Sequence, residues 1–311
     1  MRRQWKVYLL ALSFALGITT KALAQEPTFT TIDFPGAIRT LGIDVAPDGD
    51  AYVGEYVDTA GVHGFLLKDG TFTSIDVPGA VSTDGHGINA RGDIVGVYRT
   101  VLPNANECLA GACHAYLLNK DGFTSFDFPD ATSTSAHGIN ARGDIVGGYC
   151  TITRCPIGGE GNRGFLLSGG EFTTIDFPGA SLTQAWRINS RGDIVGIYID
   201  TSGVTHGFLL SSGVFSTIDF PGAADTEVFG INPRGDIVGA YCPAHCDPIP
   251  IIGHHGFVLR DGEFSTIDFP GAQFTRPFGI NPRGDIAGTY RDFSGTVHGF
   301  LISKGGRRGG R

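Results

Sequence analysis

The chain has 311 residues, of which 23 are Lys or Arg and 31 are Asp or Glu, and its net charge at neutral pH is −8. An acidic body repels phosphate backbones, which excludes nucleic acid as the expected partner. Residues 1–24 are expected to be a secretory signal peptide, because Arg2, Arg3 and Lys6 precede a short apolar run and Ala22-Leu23-Ala24 forms a small-x-small cleavage pattern. No later segment is apolar enough for a membrane anchor. Without Arg2, Arg3, Lys6 and Lys21 the balance becomes 19 basic against 31 acidic residues, a net charge of −12.

The mature chain opens with FTTIDFPG at Phe29–Gly36, and IDFPGA or a near copy then recurs with its aspartate at 33, 76, 127, 176, 219 and 268. The intervals are 43, 51, 49, 43 and 49 residues. Within each interval the order is fixed: a variable stretch ending in GIN, then RGDIVGxY, a variable loop, HGFLL, a short turn such as KDG, and FTTIDFPG. Each cycle holds four short runs rich in Ile, Val, Phe, Tyr and Thr, punctuated by Gly, Asp, Asn and Pro, with no helical period. Residues 25–304 are therefore expected to form one all-β domain, a six-bladed β-propeller of four-stranded antiparallel blades. The first run, Phe29–Gly36, is the last strand of a cycle, and His298–Ile302 is the strand that precedes it. The N-terminal strand should thus pair with the C-terminal three and close the ring. A parallel β-helix is the competing architecture. The tail 305–311, with Arg307, Arg308 and Arg311 among glycines, is expected to be disordered.

The motifs HGFLL at His63–Leu67 and His206–Leu210, HAYLL at His114–Leu118, and INARGDIVG beginning at Ile88 and Ile139 resemble those of the HAF-repeat family of extracellular repeat proteins. Gly replaces Ala in most copies, and Leu follows Phe-Leu where the family has Trp. The resemblance covers all six cycles and implies export and a repeat fold. It carries no catalytic residues over.

A residue present in every cycle is most simply explained by something every cycle needs. Arg-Gly-Asp occurs at Arg91, Arg142, Arg191, Arg234 and Arg283, where one strand must turn into the next, so a turn is expected rather than an integrin ligand. The first cycle keeps Gly49 and Asp50 with Asp48 in place of Arg. His63, His114, His206, His255 and His298, with Arg163 in the remaining cycle, are expected to bond backbone beside turns. The aspartate of IDFPG is expected to serve its turn, and Tyr56, Tyr98, Tyr149, Tyr198, Tyr241 and Tyr290 to pack.

Function is sought where the symmetry breaks. The two variable connections of each cycle should share one face. All three close cysteine pairs, Cys108/Cys113, Cys150/Cys155 and Cys242/Cys246, fall in them and are expected to be disulfides. The residue entering the inner strand varies: Leu41, His86, His137, Trp186, Phe229 and Phe278. These are expected to ring the mouth of the central channel, as a site or as a plug. Arg187 stands where other cycles have Gly, and Glu227 and Arg276 belong to the same loops. The candidate ligand-binding set is therefore Trp186, Arg187, Phe229, Phe278, His86, His137, Glu227 and Arg276. Asp84, His86 and His137 are the candidate acid/base residues; they also form a weak metal grouping, but no metal or cofactor is assigned. No phosphate cradle, nucleophile elbow or HExxH is present. The sequence thus favours a secreted, monomeric binding module for a glycan, peptide or protein over an enzyme. The alternatives are a lyase- or hydrolase-type enzyme at the channel mouth and a structural envelope protein.

Overall fold

The computed structural model describes residues 28–101, 107–109, 111–152, 154–156, 162–244 and 253–303. The expected signal peptide (1–24) and tail (305–311) lie outside them. Among the described residues all regular structure is β, and no helix is long and apolar enough to cross a membrane.

Each repeat folds as a four-stranded antiparallel meander. In the first unit Arg39–Val45 pairs with Ala51–Val57, which pairs with Val62–Lys68, which pairs with Thr71–Ile75. The inner strands of the next five units are Ser82–Ile88, Ser133–Ile139, Leu182–Ile188, Asp225–Ile231 and Phe274–Ile280. The sixth unit, Phe274–Ile280, Ile286–Arg291 and Val297–Ser303, takes Thr28–Ile32 as its outer strand, with Thr28 opposite Ser303 and Ile32 opposite Gly299. Each inner strand packs against the inner strands of both neighbours, the first against the sixth included. The sheets form a circle of units rather than one continuous barrel.

The repeated residues explain how neighbouring units adhere. The Phe of HGFLL is fully buried between sheets in Phe65, Phe165, Phe208, Phe257 and Phe300, with Tyr116 in the second unit. It presses on the glycine of DIVG: a Cβ on Gly147 would stand 2.0 Å from the Ser135 carbonyl oxygen and 2.8 Å from the Phe165 ring. The Phe of IDFPG stacks flat on the next unit's tyrosine, as in Phe34–Tyr56 at 3.7 Å and Phe220–Tyr241 at 3.6 Å. Such stacks contribute about 0.5–1.5 kcal/mol each beyond area burial. The backbone N–H of the same Phe donates to a buried threonine of the following inner strand, Phe34 to Thr40 and Phe177 to Thr183, both at 3.0 Å.

The histidines stack on those tyrosines, Tyr56–His63 at 5.0 Å for example, and each turns Nδ1 to a carboxylate; the expected backbone bond is made by His114, whose Nε2 meets the Gly111 carbonyl at 3.1 Å. His63 meets Asp76 at 2.6 Å, His114 meets Asp127 at 2.8 Å, and His298 meets Asp33 at 3.0 Å. Arg163 meets Asp176 in the same way at 2.8 Å. The IDFPG aspartate thus serves the histidine of the strand beside it, not the Pro-Gly turn.

Arg-Gly-Asp is a self-contained turn. In the third unit Asn140 Oδ1 accepts from the N–H groups of Arg142 and Asp144, at 2.9 and 3.1 Å, while Gly143 adopts φ +94°. Arg142 then bonds Asp144 and reaches the Ser190 carbonyl of the next unit, at 2.8 and 2.7 Å. Each arginine is thus tied to its own aspartate and, as in Arg142, to the next unit, so the fold accounts for the motif's recurrence. The asparagines form a chain around the circle: Asn89, Asn140, Asn189 and Asn232 each donate to the next unit's Asn carbonyl, and Asn281 donates to the Ala46 carbonyl.

Among the described residues no cysteine is free, and Cys113 and Cys242 are buried at strand ends. The side chains of Cys108 and Cys155, and Cys246 as a whole, lie outside the described residues. Short strands at Glu107–Leu109 and Arg154–Pro156 pair antiparallel, with Cys108 opposite Cys155.

Candidate functional site

The inner strands share one irregularity. Pairing with the second strand skips a residue between Gly42 and Asp44, Gly85 and Gly87, Ala136 and Gly138, Ala185 and Arg187, Val228 and Gly230, and Pro277 and Gly279. A bulged residue is released from the ladder and its side chain re-aimed. The six released residues are Ile43, His86, His137, Trp186, Phe229 and Phe278. Leu41, expected in this ring, stands instead in the column of Asp84. The letters Gly42-Ile43-Asp44 mimic Gly87-Ile88-Asn89, but Val45 pairs Tyr52 as Ile88 pairs Ile94, which places them two residues apart in register.

These side chains pack into a layer across the axis. His137 lies flat on Trp186 at 4.4 Å, Trp186 meets Phe229 edge-on at 5.0 Å, and Phe229 meets Phe278 at 4.7 Å. His86 follows at 5.4 Å from His137. The layer is both plug and floor: it closes the channel, and its upper face lines a cavity of about 550 Å³.

The next column is glycine in four units, because the inner strands converge there: a Cβ on Gly138 would stand 2.7 Å from the Trp186 carbonyl oxygen. The two exceptions are Asp44 and Arg187, in the first and fourth units, opposite one another. Their side chains meet beneath the layer at 3.5 Å. Arg187 donates to the carbonyls of Trp186, Ile43 and His86 at 3.0, 3.1 and 2.9 Å, and to that of His137. Asp44 accepts from the N–H groups of Val45 and Ile88 at 3.0 and 3.1 Å. Burial pushes the Asp44 carboxyl up, opposed by Arg187. Arg187 is thus a correction to the expected ligand-binding set: it is 6% exposed and ties inner strands together, lining a separate cavity of about 250 Å³ on the side of the Asn-x-Arg-Gly turns.

The other candidates converge on the larger cavity, which opens among the variable connections. Asp84, His86, His137, Trp186, Glu227, Phe229, Arg276 and Phe278 all line it. Arg276 bonds Glu227 at 2.7 Å and lies over Phe229 and Phe278, at 5.0 and 5.5 Å from the ring centres. On the opposite wall Arg99 bonds Asp84 at 2.8 Å. Sequence reasoning missed Arg99, Glu55 and His254. Glu55 carries the charge where the other units have Val97, Gly148, Ile197, Ala240 or Thr289, so comparison of the second strands would have found it.

The electrostatics mark this wall. Burial, then the charge of Asp84, pushes the Glu55 carboxyl up to about 7, against Arg39 and Arg99. Burial lowers His86 to about 4 and, with the neighbouring His86, lowers His137 to about 3. Both imidazoles are therefore neutral. Each meets a carbonyl through Nδ1, His86 at Ala136 (3.1 Å) and His137 at Ala185 (3.0 Å). A carbonyl only accepts, so Nδ1 carries the proton and Nε2 holds the lone pair. Several buried polar atoms here lack a protein hydrogen bond: Asp84 Oδ1, Trp186 Nε1, Arg99 Nε, Arg276 Nε and His254 Nδ1. Buried polar atoms without a partner are uncommon, and four of these five belong to residues that line the cavity.

No protein-family model and no curated protein matches the chain. Solved structures do match in fold. A triple arginine-to-alanine mutant of AofleA from Arthrobotrys oligospora is similar at TM-score 0.53 and 12% identity, over 90% of this chain and 87% of that one. Trypanosoma rangeli sialidase in complex with sialic acid is similar at 0.52 and 8%, over 90% and 57%. Aleuria aurantia lectin, as an asparagine-to-glutamine mutant in complex with α-methyl-L-fucoside, is similar at 0.50 and 11%, over 90% and 99%. These are β-propeller proteins, and the chain shares that all-β fold.

Proposed function

We propose that the chain is a secreted, six-bladed β-propeller of the HAF-repeat kind that binds a neutral saccharide at the axial mouth. The observation that carries this reading is the aromatic layer of His137, Trp186, Phe229 and Phe278 beneath a cavity walled by paired charges and orphaned donors. Sugar rings lay C–H faces on aromatic surfaces and hydroxyls on carboxylate and guanidinium groups. Glu227 is paired with Arg276 and Asp84 with Arg99, so these groups offer donors and acceptors to hydroxyls with little net charge between them. A volume of about 550 Å³ suits one or two sugar residues. Two neighbours of the same fold carry a fucoside and sialic acid in their structures, which is compatible with this class. Export belongs to the same proposal, as does pairing of Cys108 with Cys113, Cys150 with Cys155 and Cys242 with Cys246.

Isothermal titration with α-methyl-L-fucoside and with glucose-, galactose- and mannose-containing disaccharides tests the reading. At least one should bind saturably, and Trp186→Ala should weaken it by at least about 2 kcal/mol, roughly thirtyfold. Binding unchanged in Trp186→Ala would remove the site from the mouth, and cleavage of a bound sugar would favour an enzyme.

A further inference from the structure

The geometry points to a divalent-cation site formed by Glu55, Asp84 and His86 on one wall of the mouth. It differs from the sequence grouping, which joined Asp84 and His86 to His137. One ligand atom from each of Glu55, Asp84 and His86 lies within 4.8 Å of the others. Metal–ligand bonds of about 2.0–2.1 Å set neighbouring ligand atoms roughly 3–3.5 Å apart. With ligand atoms up to 4.8 Å apart, the three groups need to close by roughly 1.3–1.8 Å around the ion.

A cluster of ionisable groups is not by itself a site, and two independent features make this one specific. Asp84 is 4% exposed, its Oδ2 is held by Arg99 at 2.8 Å, and its buried Oδ1 has no hydrogen-bond partner. His86 has Nδ1 fixed on the Ala136 carbonyl at 3.1 Å; a carbonyl only accepts, so the proton sits there and the Nε2 lone pair is left over. That is how metal-binding histidines are oriented: the distal N–H donates to a carbonyl, and ligating carboxylates are themselves hydrogen-bonded. Arg99 plays the second part for Asp84.

Two carboxylate oxygens and one imidazole nitrogen, without thiolate, suit a first-row divalent ion such as Zn²⁺ or Mn²⁺ better than Ca²⁺, which prefers an all-oxygen shell. Three protein ligands leave a coordination position facing the cavity. The cation would offset the two carboxylates more fully than Arg39 and Arg99 do. The inference does not depend on saccharide binding, and it is tested without sugar.

The untagged full chain, stripped with a chelator, is titrated calorimetrically with ZnCl₂, MnCl₂ and CaCl₂. Saturable uptake of one Zn²⁺ or Mn²⁺ is expected, weakened at least about tenfold by Glu55→Gln, Asp84→Asn or His86→Gln, since even outer partners of a metal cost that much. His63→Gln, in a histidine–carboxylate pair elsewhere, should leave this uptake unchanged. Because Asp84→Asn also disturbs Arg99, pulsed EPR of the Mn²⁺-loaded wild type supplies a readout without mutation: coupling to one imidazole nitrogen is expected. Absence of saturable Zn²⁺ and Mn²⁺ uptake, uptake indifferent to all three substitutions, preference for Ca²⁺, or no nitrogen coupling would each overturn the assignment.

Discussion

At the scale of the residue, the most informative position is the glycine column of the inner strands. Arg187 and Asp44 break it in opposite units and meet at 3.5 Å across the axis. Removing one member of a buried pair strands the other charge, which costs about 3–5 kcal/mol, whereas removing both often costs far less. Arg187→Met should therefore destabilise by about that amount in chemical denaturation, and adding Asp44→Asn should recover part of the loss. A strictly additive pair of effects would mean that the two side chains are energetically independent. Arg187 was legible in the sequence as an exception; its role was not. Its partner is hidden because Gly42-Ile43-Asp44 copies the letters of Gly87-Ile88-Asn89, which puts Asp44 two residues out of its column. Glu55 is hidden for a different reason: it reaches the mouth from the second strand, Ala51–Val57, and not from the inner strand.

At the scale of the element, the Asn-x-Arg-Gly-Asp turn unites several repeated letters. Against the desolvation that pushes its carboxyl up, hydrogen bonds from Ser168, Asn140 and Arg142 hold Asp144 below the ordinary carboxylate range. Asp193 and Asp236 are held down in the same way, with Arg191 and Arg234 in their turns. A depressed folded-state pKa contributes stability that is fully present above the unfolded value of about 4 and is lost as pH falls through the folded value. Melting temperature should therefore fall steeply below about pH 4, and Asp144→Asn should make that fall shallower. An equally steep fall in Asp144→Asn would assign the acid lability elsewhere. The repeat made the existence of these turns legible, along with the strand order and the face carrying the variable loops. It did not reveal that the IDFPG aspartates serve the histidines, or Arg163 in the third unit, because the pairing joins neighbouring strands, 13 positions apart in His63–Asp76 and His114–Asp127 and at opposite ends of the chain in His298–Asp33.

At the scale of the whole molecule, closure and the mouth are the same question, because the aromatic layer exists only if all inner strands converge. The chain meets itself where Thr28–Ile32 pairs with Val297–Ser303, where Asn281 donates to the Ala46 carbonyl at 3.3 Å, and where Tyr52 donates to the Phe300 carbonyl at 2.6 Å. Deleting residues 28–32 would leave Val297–Ser303 as an unpaired edge, and self-association is the expected consequence in sedimentation analysis. Closure was legible from the order of motifs at the two ends; the depth of the plug was not, since it depends on a bulge that only the register reveals. The most direct test of the proposed mouth uses its own indole. Trp186 and Trp5 are the only tryptophans in the sequence, so fluorescence lost in Trp186→Phe belongs to the floor of the cavity. Titrating wild type and Trp186→Phe with the same saccharide panel should give a saturable change in the wild type alone. A panel that binds calorimetrically without altering Trp186 emission would contradict a saccharide site on the aromatic layer.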